Sequence, residues 1–469
     1  MRSTTEPPAP RSHGIRGRGA FAAALVGATL FAGPHAPAAA QNESYELVRQ
    51  LMEPEPRKRK AAAKRLTRAN EPRLLPALVD ALFFTPREHR SEMVEVLRAF
   101  SGHSGGDRYQ EWVELVGRRE ELVPLEGYRP FKATLFSRID PRFLEILGGE
   151  EPARIRLEEV VWGGVRLEGI PALERPAKLA ASAATELGER DLVLGVSLGG
   201  THHAYPVKVL SWHEMVNDEV GGEPISLSYC TLCGSAVLYS TRQEGGDALT
   251  FGTSGLLYRS NKLMIDRQTG SLWSNLTGEA VLGSAAAEGS RLEPLPVTLT
   301  RWLAWRNAHP ETTVMGVDPQ LGRRYGFLYE DGAADRARAG VSFPVWQQDE
   351  RLPAKTEVLA LRVDGRAKAY ELEAVRRQGM VNDLVGELPL VVLADESGAV
   401  RAYRRGTGEL LAGPEPGLLV DGAGQRWRVT EEALEPLDGT TRHERLPAHV
   451  AYWFGWYGFY PDTELWMGR

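Results

Sequence analysis

The chain has 469 residues, 42% hydrophobic and 25% charged, with a formal net charge of −6. Those are the values of folded globular domains, roughly two to four at this length, so wholesale disorder is excluded and nothing points to nucleic acid as a partner. Only two cysteines occur, Cys230 and Cys233, which excludes a multi-bridge disulfide framework and any four-cysteine zinc or iron–sulfur site within one chain.

Residues 1–40 read as a secretory signal peptide. Arg11, Arg16 and Arg18 form a basic start, Ala20 to Ala32 is a short apolar run, and Ala38-Ala39-Ala40 supplies small residues for cleavage. The expected location is therefore periplasmic or secreted. No later apolar stretch is long enough to span a bilayer. Residues 41–120 are predicted to be helical, because Leu47, Val48, Leu51, Ala62, Leu66, Leu74, Leu75, Leu78, Val79 and Leu82 recur at three- and four-residue spacings. Helix pairs of this length look like HEAT-type repeats, which commonly present a surface to a protein partner. A plain helical cap on the next domain explains them equally well. Residues 121–190 read as a transition segment in which VVWGGV (Val160 to Val165) marks a strand and turn.

Beyond it the chain repeats itself. Slid by 165 residues, Asp191–Ser226 lies over Thr356–Val391 without a gap, and twelve of the 36 positions are identical. Met215-Val216-Asn217-Asp218 lies over Met380-Val381-Asn382-Asp383. Trp302, Trp305 and Pro310 match Trp453, Trp456 and Pro461 in spacing. The predicted fold class is α+β: two tandem copies of a β-rich unit, residues 191–318 and 356–469, joined by a connector over 319–355. They are expected to pack as pseudo-two-fold lobes behind a small all-α module. Each copy is expected to run strand, helix (Pro206–Asn217 and Glu371–Asn382), hairpins, then a tryptophan-bearing helix (Thr300–Ala308 and Ala451–Phe459). Shared residues read as scaffold; Asn217-Asp218 and Asn382-Asp383 are expected where a helix ends.

Residues found only in the first copy are the functional candidates. Cys230 and Cys233 fall near Asp395 and Ser397 of the second copy. His202, His203, His213, Glu214 and Arg267 are replaced there by Ala367, Lys368, Gln378, Gly379 and Gly422. The run Cys230-Thr231-Leu232-Cys233-Gly234 is flanked by strand-like segments, so it is expected in the turn of a hairpin rather than at a helix N-terminus, where a thiolate gains help from the helix dipole. Four readings of the pair stand open: a metal site, a redox-active dithiol, a short structural disulfide, or plain buried thiols. As a metal site it would hold a transition ion such as zinc or copper and draw further ligands from His202, His203 and His213. As a thiol centre it makes Cys230 and Cys233 the reacting groups, with His202, His203 and His213 moving protons and Arg267 holding an anionic group. Phe251 to Tyr258 (FGTSGLLY) reads as a strand with a bulge. It lacks the lysine and spacing of a phosphate loop, and Ser254 lacks a nucleophile-elbow pattern.

The runs YCTLCGSAVLY, FGTSGLLYRSNKLMIDRQTGSLW, HEMVNDEVGGEPISLSY and GGVRLEGIPAL together resemble the domain of unknown function 3179 family, over about Tyr128 to Trp466. The resemblance implies an exported bacterial protein whose hallmark is the Cys-x-x-Cys, here with Thr231 where such proteins often carry proline. It implies no reaction. On function, two expectations result: a cysteine–histidine centre in the first copy, or a non-catalytic binding module in which the cysteines staple a hairpin.

Overall fold

A computed structural model describes residues 38–243, 245–316 and 340–468. The leader reading of residues 1–40 and much of the connector over 319–355 fall outside the described residues. The helical part comprises Ala38–Gln50, Pro56–Ala69, Leu75–Phe84, Ser91–Ser101, Tyr109–Arg118, Tyr128–Phe136 and Phe143–Gly148. Helix therefore continues well past residue 120 into the predicted transition segment, until Gly148-Gly149 ends it. These helices share one hydrophobic core with the Val160–Trp162 strand and with Leu256, Leu257 and Leu263 of the β region. A buried ion pair locks that junction. Lys132, fully buried, reaches Asp80 at 2.9 Å and the Val160 carbonyl at 2.8 Å. The helices thus sit as a cap on the β region. Among the described residues no helix is long and apolar enough to cross a membrane.

The two copies build matching sheets. In the first, Leu192–Leu198 pairs antiparallel with Thr201–Pro206, which takes Thr313–Met315 as a parallel neighbour. In the second, Glu357–Val363 pairs with Arg366–Glu371, which takes Glu464–Trp466 in parallel. A three-strand meander follows each: Met215–Val220, Glu223–Cys230 and Ser235–Ser240, against Met380–Val385, Leu388–Ala394 and Val400–Arg404.

Side chains repeat with the backbone. Tyr205 donates to Asp218 at 2.9 Å and Tyr370 to Asp383 at 2.9 Å. Trp305 donates to Thr312 at 2.9 Å and Trp456 to Thr463 at 2.9 Å. Asn217 brackets the backbone of Phe251 (2.8 and 3.0 Å), and Asn382 brackets that of Leu410 (2.8 and 2.9 Å). These polar groups, buried in the first copy and half-buried at Asn382 and Asp383 in the second, satisfy one another, which fixes the register of strands far apart in sequence.

One expectation is corrected here. The helices run only over Val207–His213 and Leu372–Gln378. They stop at Glu214 and Gly379, whose φ values of 56° and 78° turn the chain out of the helix. Asn217-Asp218 and Asn382-Asp383 therefore lie in the following strands, where the asparagines clamp a neighbouring hairpin.

The lobes contact each other reciprocally. The His449–Tyr452 strand of the second packs on Ser235–Ser240 of the first, and Thr298–Arg301 of the first packs on Val400–Arg404 of the second. An ion network crosses the seam. Glu431 is held by Arg401 at 2.6 Å and Arg445 at 2.5 Å, and accepts from Thr298 of the first lobe at 2.7 Å.

Candidate functional site

The Cys-x-x-Cys occupies a hairpin turn, as its flanks predict. Cys230 ends the Glu223–Cys230 strand and faces Ser235, the first residue of the Ser235–Ser240 strand. Gly234 closes the turn at φ 58°, with no space for a side chain beside Tyr452 of the second lobe. Both thiols are free and buried, Cys230 2% exposed and Cys233 0%.

The two sulfurs have different surroundings. Cys233 lies against Ser235 Oγ at 3.2 Å and accepts from Asn261 Nδ2 at 2.8 Å, while its carbonyl accepts from the Tyr452 amide at 2.8 Å. Cys230 instead lines a cavity of about 200 Å³, which Cys233 does not reach. The cavity walls are Gly163, Val165, Ile170, Leu256, Leu263 and Phe343, with Glu214, Thr231, Thr253 and Lys262 as its polar members. It lies below the roughly 300–1,000 Å³ of drug-sized pockets, so it suits a small occupant.

Electrostatics separates the thiols further. Burial opposes ionisation of Cys230, but hydrogen bonds from the Cys233 side chain and backbone, with the Lys262 ammonium, outweigh it and bring the thiol below its ordinary range. Burial and the Cys230 charge push Cys233 up. Lys262 is itself buried, and burial lowers its pKa against the pull of Glu214 and the two cysteines. Its ammonium donates to the Glu214 carbonyl at 2.5 Å and the Tyr229 carbonyl at 3.0 Å, and lies 3.7 Å from the Glu214 carboxylate. An asymmetric pair of this kind, one thiol at the cavity with its pKa lowered and the other a donor behind it, fits a nucleophilic dithiol.

Three elements build this site on the shared scaffold. The first is the helix end. In both copies the residue after the helix accepts a backbone amide, Tyr229 to Glu214 at 2.9 Å and Ala394 to Gly379 at 2.8 Å. The first copy places glutamate where the second has the glycine that a left-handed residue favours, at a strain of about 1 kcal/mol. The second element is the hairpin Phe251–Tyr258 and Asn261–Asp266, which delivers Asn261 and Lys262. Fifteen residues separate Phe251 from Asp266, whereas eleven separate the matching Leu410 and Asp421, so the first hairpin reaches further. The third is the opposite lobe's helix Trp453–Tyr457, where a Cβ on Gly455 would stand 2.6 Å from the Cys233 Cβ. At the equivalent position the first copy has Ala304.

The family model described as a protein of unknown function (DUF3179) matches residues 167–463. The chain belongs to the DUF3179 family. No curated protein and no solved structure matches it. The DUF3179 match spans both copies and the Cys-x-x-Cys, and it leaves out the seven helices of the cap.

Within this DUF3179 chain the predicted site residues separate into groups. Cys230 and Cys233 meet. His202 bonds Ser197 and stacks on His309 with ring centroids 4.1 Å apart, beside the Glu431 network. His203 bonds Thr313 at 2.6 Å, and burial holds its pKa down at about 3. His213 ends its helix and donates to the Pro171 carbonyl at 2.8 Å. Arg267 binds Glu168 at 2.6 Å and also Glu174. Among the described residues no group of three or more His, Cys, Asp or Glu side chains is placed to hold a metal ion. FGTSGLLY is a buried strand, with Ser254 donating to the Leu263 carbonyl at 2.6 Å. Asn261 and Lys262 are the residues that sequence reasoning missed; the extra length of their hairpin relative to its copy is the signal that marks them.

Proposed function

We propose that this protein is an exported thiol centre that carries out thiol–disulfide exchange on a small molecule, with Cys230 as the attacking sulfur and Cys233 as the resolving one. The observation that carries this reading is that Cys230 alone of the pair lines the cavity, while Cys233 sits behind it as a hydrogen-bond donor. The Cys230 thiolate attacks one sulfur of a small organic disulfide. A mixed disulfide forms and one small thiolate leaves, taking up a proton. Cys233 then loses its proton and attacks the Cys230 sulfur, closing the protein disulfide and releasing the second small thiol. Two electrons pass from the dithiol to the substrate, and a small thiol returns them by the reverse sequence. Burial of both sulfurs keeps protein disulfides out and favours a small partner. Export rests on the leader reading of residues 1–40 and belongs to the same proposal.

The test is to mix the reduced protein with bis(2-hydroxyethyl) disulfide. The expected result is release of two equivalents of mercaptoethanol, with a Cys230–Cys233 disulfide in the protein mass. No release by protein confirmed to be folded and reduced overturns the proposal.

A further inference from the structure

We propose, resting on the thiol-centre reading, that Glu214 and Lys262 are its positioning residues, an opposed charge pair that sets how readily Cys230 becomes its attacking anion. Three independent features converge on them. Both line the same small cavity as Cys230. Glu214 keeps a left-handed backbone, φ 56°, at a position where the duplicated lobe has a glycine that is also at positive φ, 78°, so the scaffold does not call for its carboxylate. Lys262 arrives on a hairpin that is longer than its copy, and the residue is 5% exposed, with its ammonium aimed at two carbonyls and the Glu214 carboxylate. A buried ammonium is retained only where its surroundings hold it.

The groups that act on Cys230 are Cys233 from the turn, Glu214 from the helix end and Lys262 from the hairpin. Tyr452 of the second lobe packs in the same cluster. Lys262 favours the anion and the Glu214 carboxylate opposes it. Their removal therefore has opposite consequences, which a purely structural role does not produce.

The experiment is the pH profile of Cys230 alkylation by iodoacetamide in the full chain, with peptide mapping, for wild type, Lys262→Met, Lys262→Arg, Glu214→Gly and Glu214→Gln. Lys262→Met is expected to move the midpoint up by about one pH unit or more, slowing alkylation roughly tenfold near neutral pH. Lys262→Arg is expected to restore part of the shift. Both Glu214 variants are expected to move the midpoint down, and Glu214→Gly to do so without lowering Tm. If Lys262→Met fails to fold, Glu214→Gly carries the test, because its backbone conformation suits glycine. An unchanged midpoint, or a shift in the same direction for both residues, overturns the pair while leaving Cys230 reactive. If wild-type Cys230 is alkylated at no pH, or Cys233 alone is modified, the thiol-centre reading falls instead.

Discussion

At the scale of single residues, Gly455 shows how closely the second lobe is fitted to the cysteine turn. A methyl group there meets the Cys233 Cβ at 2.6 Å, so Gly455→Ala must displace either the turn or its own helix. Overpacking of this kind costs about 1–3 kcal/mol. The expected result is a lower Tm by thermal denaturation, together with faster alkylation of Cys233 as its cover loosens. An unchanged Tm with unchanged thiol reactivity contradicts the fit. The cysteines themselves were legible, because two thiols confined to one of two copies stand out. Lys262 was not, since a lysine in a strand reads as solvent-facing; only the packing of Glu214 and Tyr229 around it reveals the burial. The histidines mislead for the opposite reason. Three of them lie close to the cysteines in sequence, yet His202 and His203 sit on a different sheet and make their own bonds to Ser197 and Thr313.

At the scale of elements, duplication supplies a built-in control. Tyr205 and Tyr370 make the same 2.9 Å bond to an aspartate thirteen residues on. Tyr205→Phe and Tyr370→Phe are each expected to destabilise by about 1–3 kcal/mol, because each leaves a carboxylate short of a donor. Chemical denaturation of the two variants checks this; a loss in only one would break the equivalence of the lobes. The repeat, the hairpin placement of the cysteines and the tryptophan helices all follow from spacing and identity. The helix ends did not, because Glu214 is a poor left-handed residue by propensity and carries no breaker signal. Its copy, Gly379, does carry one, and reading the terminator across from the better-marked copy locates it. The continuation of helix to Gly148 was equally hidden, since its apolar face is shared with a β hairpin more than a hundred residues away.

At the scale of the whole molecule, pH acts on histidines that folding buries. Burial holds His203 down at about 3 and His449 down at about 4, against an ordinary value near 6.5. Below 6.5 the unfolded chain binds protons that the folded chain refuses. Their contribution is therefore fully present above pH 6.5 and declines as pH falls towards 4 and then 3, by up to about 1.4 kcal/mol per pH unit for each. His449→Gln is expected to flatten the fall in urea midpoint between pH 6.5 and 5; an identical slope in the variant contradicts it. The seam that contains His449 also closes over the cysteine turn through Tyr452, whose amide donates to the Cys233 carbonyl, while Cys230 faces its small cavity on the other side. The measurement that bears on this most directly is a trapping reaction. Cys233→Ser, mixed with bis(2-hydroxyethyl) disulfide and examined by peptide mass, is expected to accumulate one mercaptoethanol adduct on Cys230 that wild type resolves. A folded variant whose Cys230 takes up no adduct contradicts a thiol centre at this site.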